Sequence, residues 1–180
     1  MIFNKTDIDG VITFTNKKYE DDRGFFMETF NKEISDYLKC DFVQDNYVKS
    51  MNKHIIRGLH FQTNKMQAKL LRVIKGKIFD VAVDLRETSP TYKKWLGIIL
   101  SEENCLNMYI PEGFAHGYCT LMDNTEVIYK CSNYYNPESE TGIIWNDPTL
   151  NIEWPIERPI VSLRDQKLKR LKEFHEFNKK

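Results

Sequence analysis

Between Leu70 and Tyr135 the chain is a close succession of short apolar, β-branched runs broken by turn residues, a pattern that leaves no room for long helices in the middle of the molecule. Leu71-Arg72-Val73-Ile74 is followed by Lys75-Gly76 and then by Ile78-Phe79-Asp80-Val81-Ala82-Val83-Asp84-Leu85, which reads as a β-hairpin. Further strands are expected over residues 95–100, 107–110, 117–121 and 125–135, separated by Ser-Glu-Glu-Asn, Pro-Glu-Gly and Met-Asp-Asn turns. Short strands at short intervals imply an all-β sandwich or barrel.

Helices are expected only at the flanks. Ile34, Tyr37 and Leu38 fall at helical spacing after a capping Asn31, and beyond Arg164 the residues Leu168, Leu171, Phe174 and Phe177 recur every third position among charges. Residues 164–180 therefore read as a helical tail that caps the β-core. No internal repeat or Ser/Gly linker interrupts the 180 residues, so they read as one domain. An apolar share of 41% with 29% charged residues belongs to a globular chain and excludes disordered and fibrous classes. The 26 basic and 26 acidic residues cancel, so no global field favours nucleic acid and any anion recognition must be local. Charged residues arrive too early at the N-terminus for a signal peptide, and no stretch reaches membrane-spanning length, so cytoplasm is the expected compartment. Cys40, Cys105, Cys119 and Cys131 form no C-x-x-C pair and read as reduced thiols.

The residues with chemistry gather around Arg57-Gly58-Leu59-His60-Phe61-Gln62. His60 is the one residue in this run whose type has an unperturbed pKa near neutrality, while Arg57 and Lys69 offer charge to an anionic substrate. A barrel with Pro-x-Gly-x-x-His around His116 points to a cupin-type jelly roll, some of which hold a metal on several histidines and a carboxylate. Here Gln62 stands where a His-x-His pair would need its second imidazole. His60 and His116 supply two ligands where three are usual, so neither metal nor cofactor is expected.

Several motifs in order carry a resemblance to a known family: Asp22-Arg23-Gly24-Phe25-Phe26-Met27-Glu28, Gln44-Asp45-Asn46, Arg57 to Gln62, Gly76 to Asp84, Ile110-Pro111-Glu112-Gly113-Phe114-Ala115-His116-Gly117 and Trp145-Asn146-Asp147-Pro148. From about Gly10 to Asp165 the chain resembles the dTDP-4-dehydrorhamnose 3,5-epimerases. The resemblance implies a homodimeric, cofactor-independent cupin, with strand exchange by the N-terminal segment, that inverts carbons 3 and 5 of a nucleotide-linked 4-keto-6-deoxy sugar. It assigns His60 as base, Asp165 as its orienting partner, Tyr129 as acid and Lys69 as the cation beside the enolate. It also implies substrate contacts from Arg23, Phe26, Glu28, Gln44, Asn46, Arg57, His116 and Tyr135, with Asp80 holding Lys69 or His116.

Taken one at a time, these residues have plainer readings. His60 fits a hydrogen-bonded core histidine, Ser162-Leu163-Arg164-Asp165 has the form of a capping box, and Tyr129 fits an aromatic packed in a sheet. Asp80 and Asp84 lie on one face of a strand, and Asp84 equally suits an ion pair with Arg86. Tyr47-Val48-Lys49 replaces a more polar stretch expected of close relatives, which leaves open a mono-epimerase acting on another nucleotide 4-keto sugar. A related 3,4-ketoisomerase and a non-catalytic sugar-binding cupin are the remaining alternatives; the set His60, Tyr129 and Asp165 disfavours both.

Overall fold

In the computed structural model, which describes residues 2–177 and, in the last helix, side chains only through Phe174, nearly all regular structure is strand. One sheet runs in the order β1 (Ile2–Lys5), β2 (Ile12–Thr15), β10 (Leu106–Ile110), β7 (Lys69–Lys75), β12 (Thr125–Cys131) and β5 (Gln44–Ser50). The other runs β13 (Glu140–Gly142), β6 (Ile55–Gln62), β11 (Phe114–Thr120), β8 (Lys77–Asp84) and β9 (Trp95–Ser101), with the short β14 (Ile160–Val161) laid parallel against β6. β3 (Lys18–Asp21) and β4 (Gly24–Met27) pair as a separate ribbon. Two antiparallel sheets face each other as a cupin-like jelly roll.

Strand alternation explains how they close. Leu71 and Val73 of β7, Met108 and Ile110 of β10 and Val127 of β12 meet Ile78 and Ala82 of β8, Leu100 of β9 and Phe114 of β11 in a single buried cluster. Each of these side chains larger than Ala82 contributes roughly 1.5–3 kcal/mol by leaving water. The residues between them serve other layers. Val81 and Val83 turn outward to Ile143, Leu150 and Leu171, while Leu70 and Tyr109 turn to Ile34 and Leu38 of helix α1 (Lys32–Leu38). Being covered on both faces, β8 reads as an almost unbroken apolar run. Asn31 caps α1 as expected, its side chain accepting from the Ile34 N–H at 3.1 Å; Tyr37 leaves the apolar face and stacks on Phe3 with ring centroids 3.7 Å apart.

The expected hairpin of residues 70–85 does not form. β7 and β8 follow one another but belong to opposite sheets, and each takes different antiparallel partners. A single residue, Gly76, separates them, too few for a two-residue reverse turn. With φ +79° and a virtual Cβ only 2.5 Å from Thr125 Oγ1, Gly76 bends the chain from one layer to the other.

The tail also departs from expectation. A 3-10 turn spans Asp165–Lys167, extended chain follows, and helix α2 covers only Leu171–Phe177. The extended piece is held by the Ile144 N–H donating to the Lys169 carbonyl, and Leu171 and Phe174 then pack over β6 and β8. The side chain of Phe177 lies outside the described residues.

Candidate active site

The site begins with the register between β6 and β11, where His60 stands opposite His116 and Tyr118 opposite Arg57. The two strands approach closely at Gly58 and Gly117: a Cβ on Gly58 would lie 2.6 Å from the Gly117 Cα, and one on Gly117 2.6 Å from the Arg57 carbonyl oxygen. That approach brings two imidazoles and a guanidinium to the same inner wall.

His60 Nε2 lies 2.8 Å from Asp165 Oδ1. Asp165 is 4% exposed, and its Oδ2 accepts the Gly58 N–H at 3.3 Å. Burial pushes this carboxyl up, but the hydrogen bond and charge of His60, helped by the Gly58 N–H, outweigh burial and hold it below the usual carboxylate range. A carboxylate only accepts, so in the neutral ring Nε2 carries the proton and the lone pair is on Nδ1. The capping element expected around Ser162 forms in part: the Asp165 N–H donates to Ser162 Oγ at 3.0 Å, while the Asp165 side chain is turned to the histidine.

Tyr129 comes from the opposite sheet, on the face shared with Val127 and Cys131. Burial, and then the neighbouring Cys131, push its phenol above the usual value against the influence of Arg57, so it is held as a neutral proton donor. Lys69 opens β7; desolvation holds its ammonium below the ordinary lysine range, although Cys131, Asp80 and Glu140 favour the charge. His116 Nε2 bonds Asp80 Oδ1 at 2.8 Å, and burial keeps this imidazole below its ordinary value despite Asp80.

Arg57, His60, Lys69, His116, Tyr118, Tyr129 and Asp165 line one open cavity of ≈ 500 Å³. A smaller lobe of ≈ 270 Å³ shares His60, Lys69 and Tyr129 and adds Gln44, Asn46, Tyr135 and Glu140. Gln44 ties this lobe together, donating to Asn46 Oδ1 at 2.9 Å and accepting the Tyr135 N–H at 2.8 Å. Asp80 supports His116 from behind and lines neither lobe. Asp84 points to the same interior but is absorbed by Arg86, as its alternative reading anticipated.

Arg23, Phe26 and Glu28 line neither lobe. Arg23 pairs with Asp21 in the turn of the ribbon, Phe26 is 68% exposed, and Glu28 accepts from Asn31. Sequence reasoning passed over three residues that do belong to the walls: Tyr118, Glu140 and Arg164. Glu140 receives the Tyr135 hydroxyl at 2.5 Å and pairs with Arg164. Only Tyr118 carried a sequence signal, sitting two residues after His116 and so on its face. Within the Tyr47-Val48-Lys49 departure, only Val48 reaches the cavity; Tyr47 and Lys49 turn outward to Glu126.

The family model for dTDP-4-dehydrorhamnose 3,5-epimerase matches residues 5–173. The chain belongs to this family. An epimerase of that name from Methanothermobacter thermautotrophicus is 50% identical over 176 residues, 95% of each chain. Among solved structures, the Bacillus anthracis enzyme with TDP and PPi bound superposes with a TM-score of 0.91 at 44% identity, covering 94% of this chain and 99% of that one. The Legionella pneumophila dTDP-6-deoxy-D-glucose-3,5-epimerase, in complex with dTDP-4-keto-L-rhamnose, gives the same TM-score and identity over 95% of this chain and 93% of its own. Among the described residues, no three His, Cys, Asp or Glu side chains are grouped to hold a metal, and no helix is long and apolar enough to cross a membrane.

Proposed function

We propose that this chain is a cytoplasmic, cofactor-independent epimerase that converts dTDP-4-dehydro-6-deoxy-D-glucose to dTDP-4-dehydro-L-rhamnose. The observation that carries the reading is the position of His60 and Tyr129 on facing sheets of one cavity, a base on one side of the ring space and an acid on the other. The C–H bonds at carbons 3 and 5 are acidified by the ketone at carbon 4. His60 Nδ1 removes the proton from one face, and the electron pair moves to the ketone oxygen, where the Lys69 ammonium offsets the new negative charge. Tyr129 then protonates the same carbon from the opposite face, and its phenolate and the imidazolium of His60 recover their starting states by exchange with water. Asp165 keeps His60 in the competent tautomer and stabilises the imidazolium.

Arg57 and His116 suit the diphosphate, and Gln44, Asn46 and Tyr135 suit polar groups of the sugar or nucleotide. We assign Arg23, Phe26 and Glu28 to the nucleotide of a neighbouring copy in a homodimer: their ribbon exposes Tyr19, Phe25 and Phe26, and Arg23, Phe26 and Glu28 line neither lobe of the cavity in their own chain.

Incubation with the 4-keto substrate in heavy water tests the reading. NMR should show deuterium entering at both carbons with inverted product. Incorporation at one carbon alone would make the chain a mono-epimerase, and no incorporation in the intact enzyme would overturn the assignment. Tyr129→Phe should keep part of the exchange while losing inversion.

A further inference from the structure

β11 carries a second phenol into the cavity. Tyr118 stands opposite Arg57 of β6 and opposite Asp80 of β8, so the three form a row across neighbouring strands beside the row of His60 and His116. Asp80 turns its Oδ1 to His116 and lines neither lobe, so the end of the row that meets the cavity consists of Arg57 and Tyr118. Tyr118 is 4% exposed, yet its Oη has no hydrogen-bond partner among the described residues. The phenol approaches Ser50 without hydrogen-bond geometry, and Ser50 Oγ already accepts from Arg57 Nε at 3.4 Å. A buried hydroxyl left unpaired costs stability, so its retention calls for a reason.

The chemistry of the complement follows from what the wall offers. Burial holds Tyr118 in its protonated form, well above the ordinary phenol value, so it serves as a donor and not as a base. Beside it, the Arg57 guanidinium has donors only. Two adjacent donors, one of them cationic, match an oxygen that only accepts and carries negative charge. In a nucleotide-linked sugar such oxygens belong to the phosphates. With His60 and His116 in the adjoining row, the phosphate concerned is the one joined to the sugar.

We propose that Tyr118 Oη donates a hydrogen bond, alongside Arg57, to an oxygen of the sugar-linked phosphate and thereby fixes how deeply the sugar sits against His60. This rests on the nucleotide-sugar reading above. Tyr118→Phe removes the hydroxyl and nothing else. Calorimetry should show dTDP binding weakened about tenfold, the size expected of one lost charge-assisted hydrogen bond, with KM for the 4-keto substrate rising in parallel. The unliganded variant should melt at or above the temperature of the unaltered protein, because the deleted group had no partner, and a residue that merely stabilises the fold would give the reverse.

Unchanged dTDP affinity, or a loss seen with dTDP-glucose but not with dTDP, would overturn the phosphate contact while leaving the epimerase reading intact. Failure of the unaltered chain to bind dTDP would overturn both. As a check that does not depend on the variant's stability, the chain labelled with fluorotyrosine should show a dTDP-dependent shift of the Tyr118 resonance; an unmoved resonance would count against the contact.

Discussion

Asp80 and Asp84 share one strand and one face, both are fully buried, and they illustrate two opposite uses of a buried carboxylate. Asp84 is saturated: Arg86 donates twice, at 2.9 and 2.8 Å, Ser89 and Thr91 donate their hydroxyls at 2.5 and 2.7 Å, and the Arg86 N–H adds another bond at 3.0 Å. Asp80 has His116 on one oxygen and, among the described residues, no partner for the other. The saturated end is scaffold. The underused end, with the orphaned Tyr118 hydroxyl and the desolvated Lys69, is where a ligand has interactions left to make.

The contrast can be broken most severely at the ligand end. His60→Ala should lower turnover by about a thousandfold or more, as expected for loss of a general base, while in chemical denaturation its cost should stay below that of Asp84→Asn, because the Gly58 N–H still holds the Asp165 carboxylate. A comparable loss of stability would mean the dyad is scaffold like Asp84. At the other end, Asp84→Asn should cost about 3 kcal/mol in urea unfolding, since it removes the buried counter-charge of Arg86 and leaves only the exposed Asp9 beside it, and the surviving folded fraction should retain turnover. Asp80→Asn should cost less, about 1 kcal/mol, because only one of its oxygens is engaged, and its effect should appear in activity through His116.

The last prediction concerns acid. Burial pushes Asp84 up, but the bonds from Arg86, Ser89 and Thr91 bring it down from 3.8 to about 2. The folded chain therefore releases this proton more readily than the unfolded one. The stabilisation is complete above the unfolded value and is lost as pH falls through about 2. Urea midpoints followed downward from pH 4 should show this step in the unaltered protein and a shallower one in Asp84→Asn.

Strand periodicity made the barrel legible, along with the Asn31 cap and the Asp84 pair with Arg86, because each is decided within a few residues. The crossing at Gly76 was not legible as such: the same apolar runs and glycine serve a hairpin or a change of sheet, and only the distant strands β10, β12, β9 and β11 decide between them. The tail misled for a related reason. Its every-third spacing survives in Leu171 and Phe174, but the preceding residues follow Ile143 and Ile144 as extended chain. In the site, the pairing of His60 with Asp165 spans 105 positions, and no local pattern announces it; the family motifs did. Glu140 opens the three-residue β13 and Arg164 sits in an irregular connection, so neither has a periodicity long enough to point it inward.

Because the carboxylate that steers His60 arrives with the turn at Asp165, translation delivers it after every strand of both main sheets. A nascent chain that has emerged only through β12 already holds the imidazole, the phenol and the ammonium, yet nothing fixes which ring nitrogen bears the proton. On the proposed reading, competence for chemistry is thus gained only once Asp165 has been added, and a nonsense codon shortly before it would leave most of the barrel's sequence in place without the residue proposed to set its base.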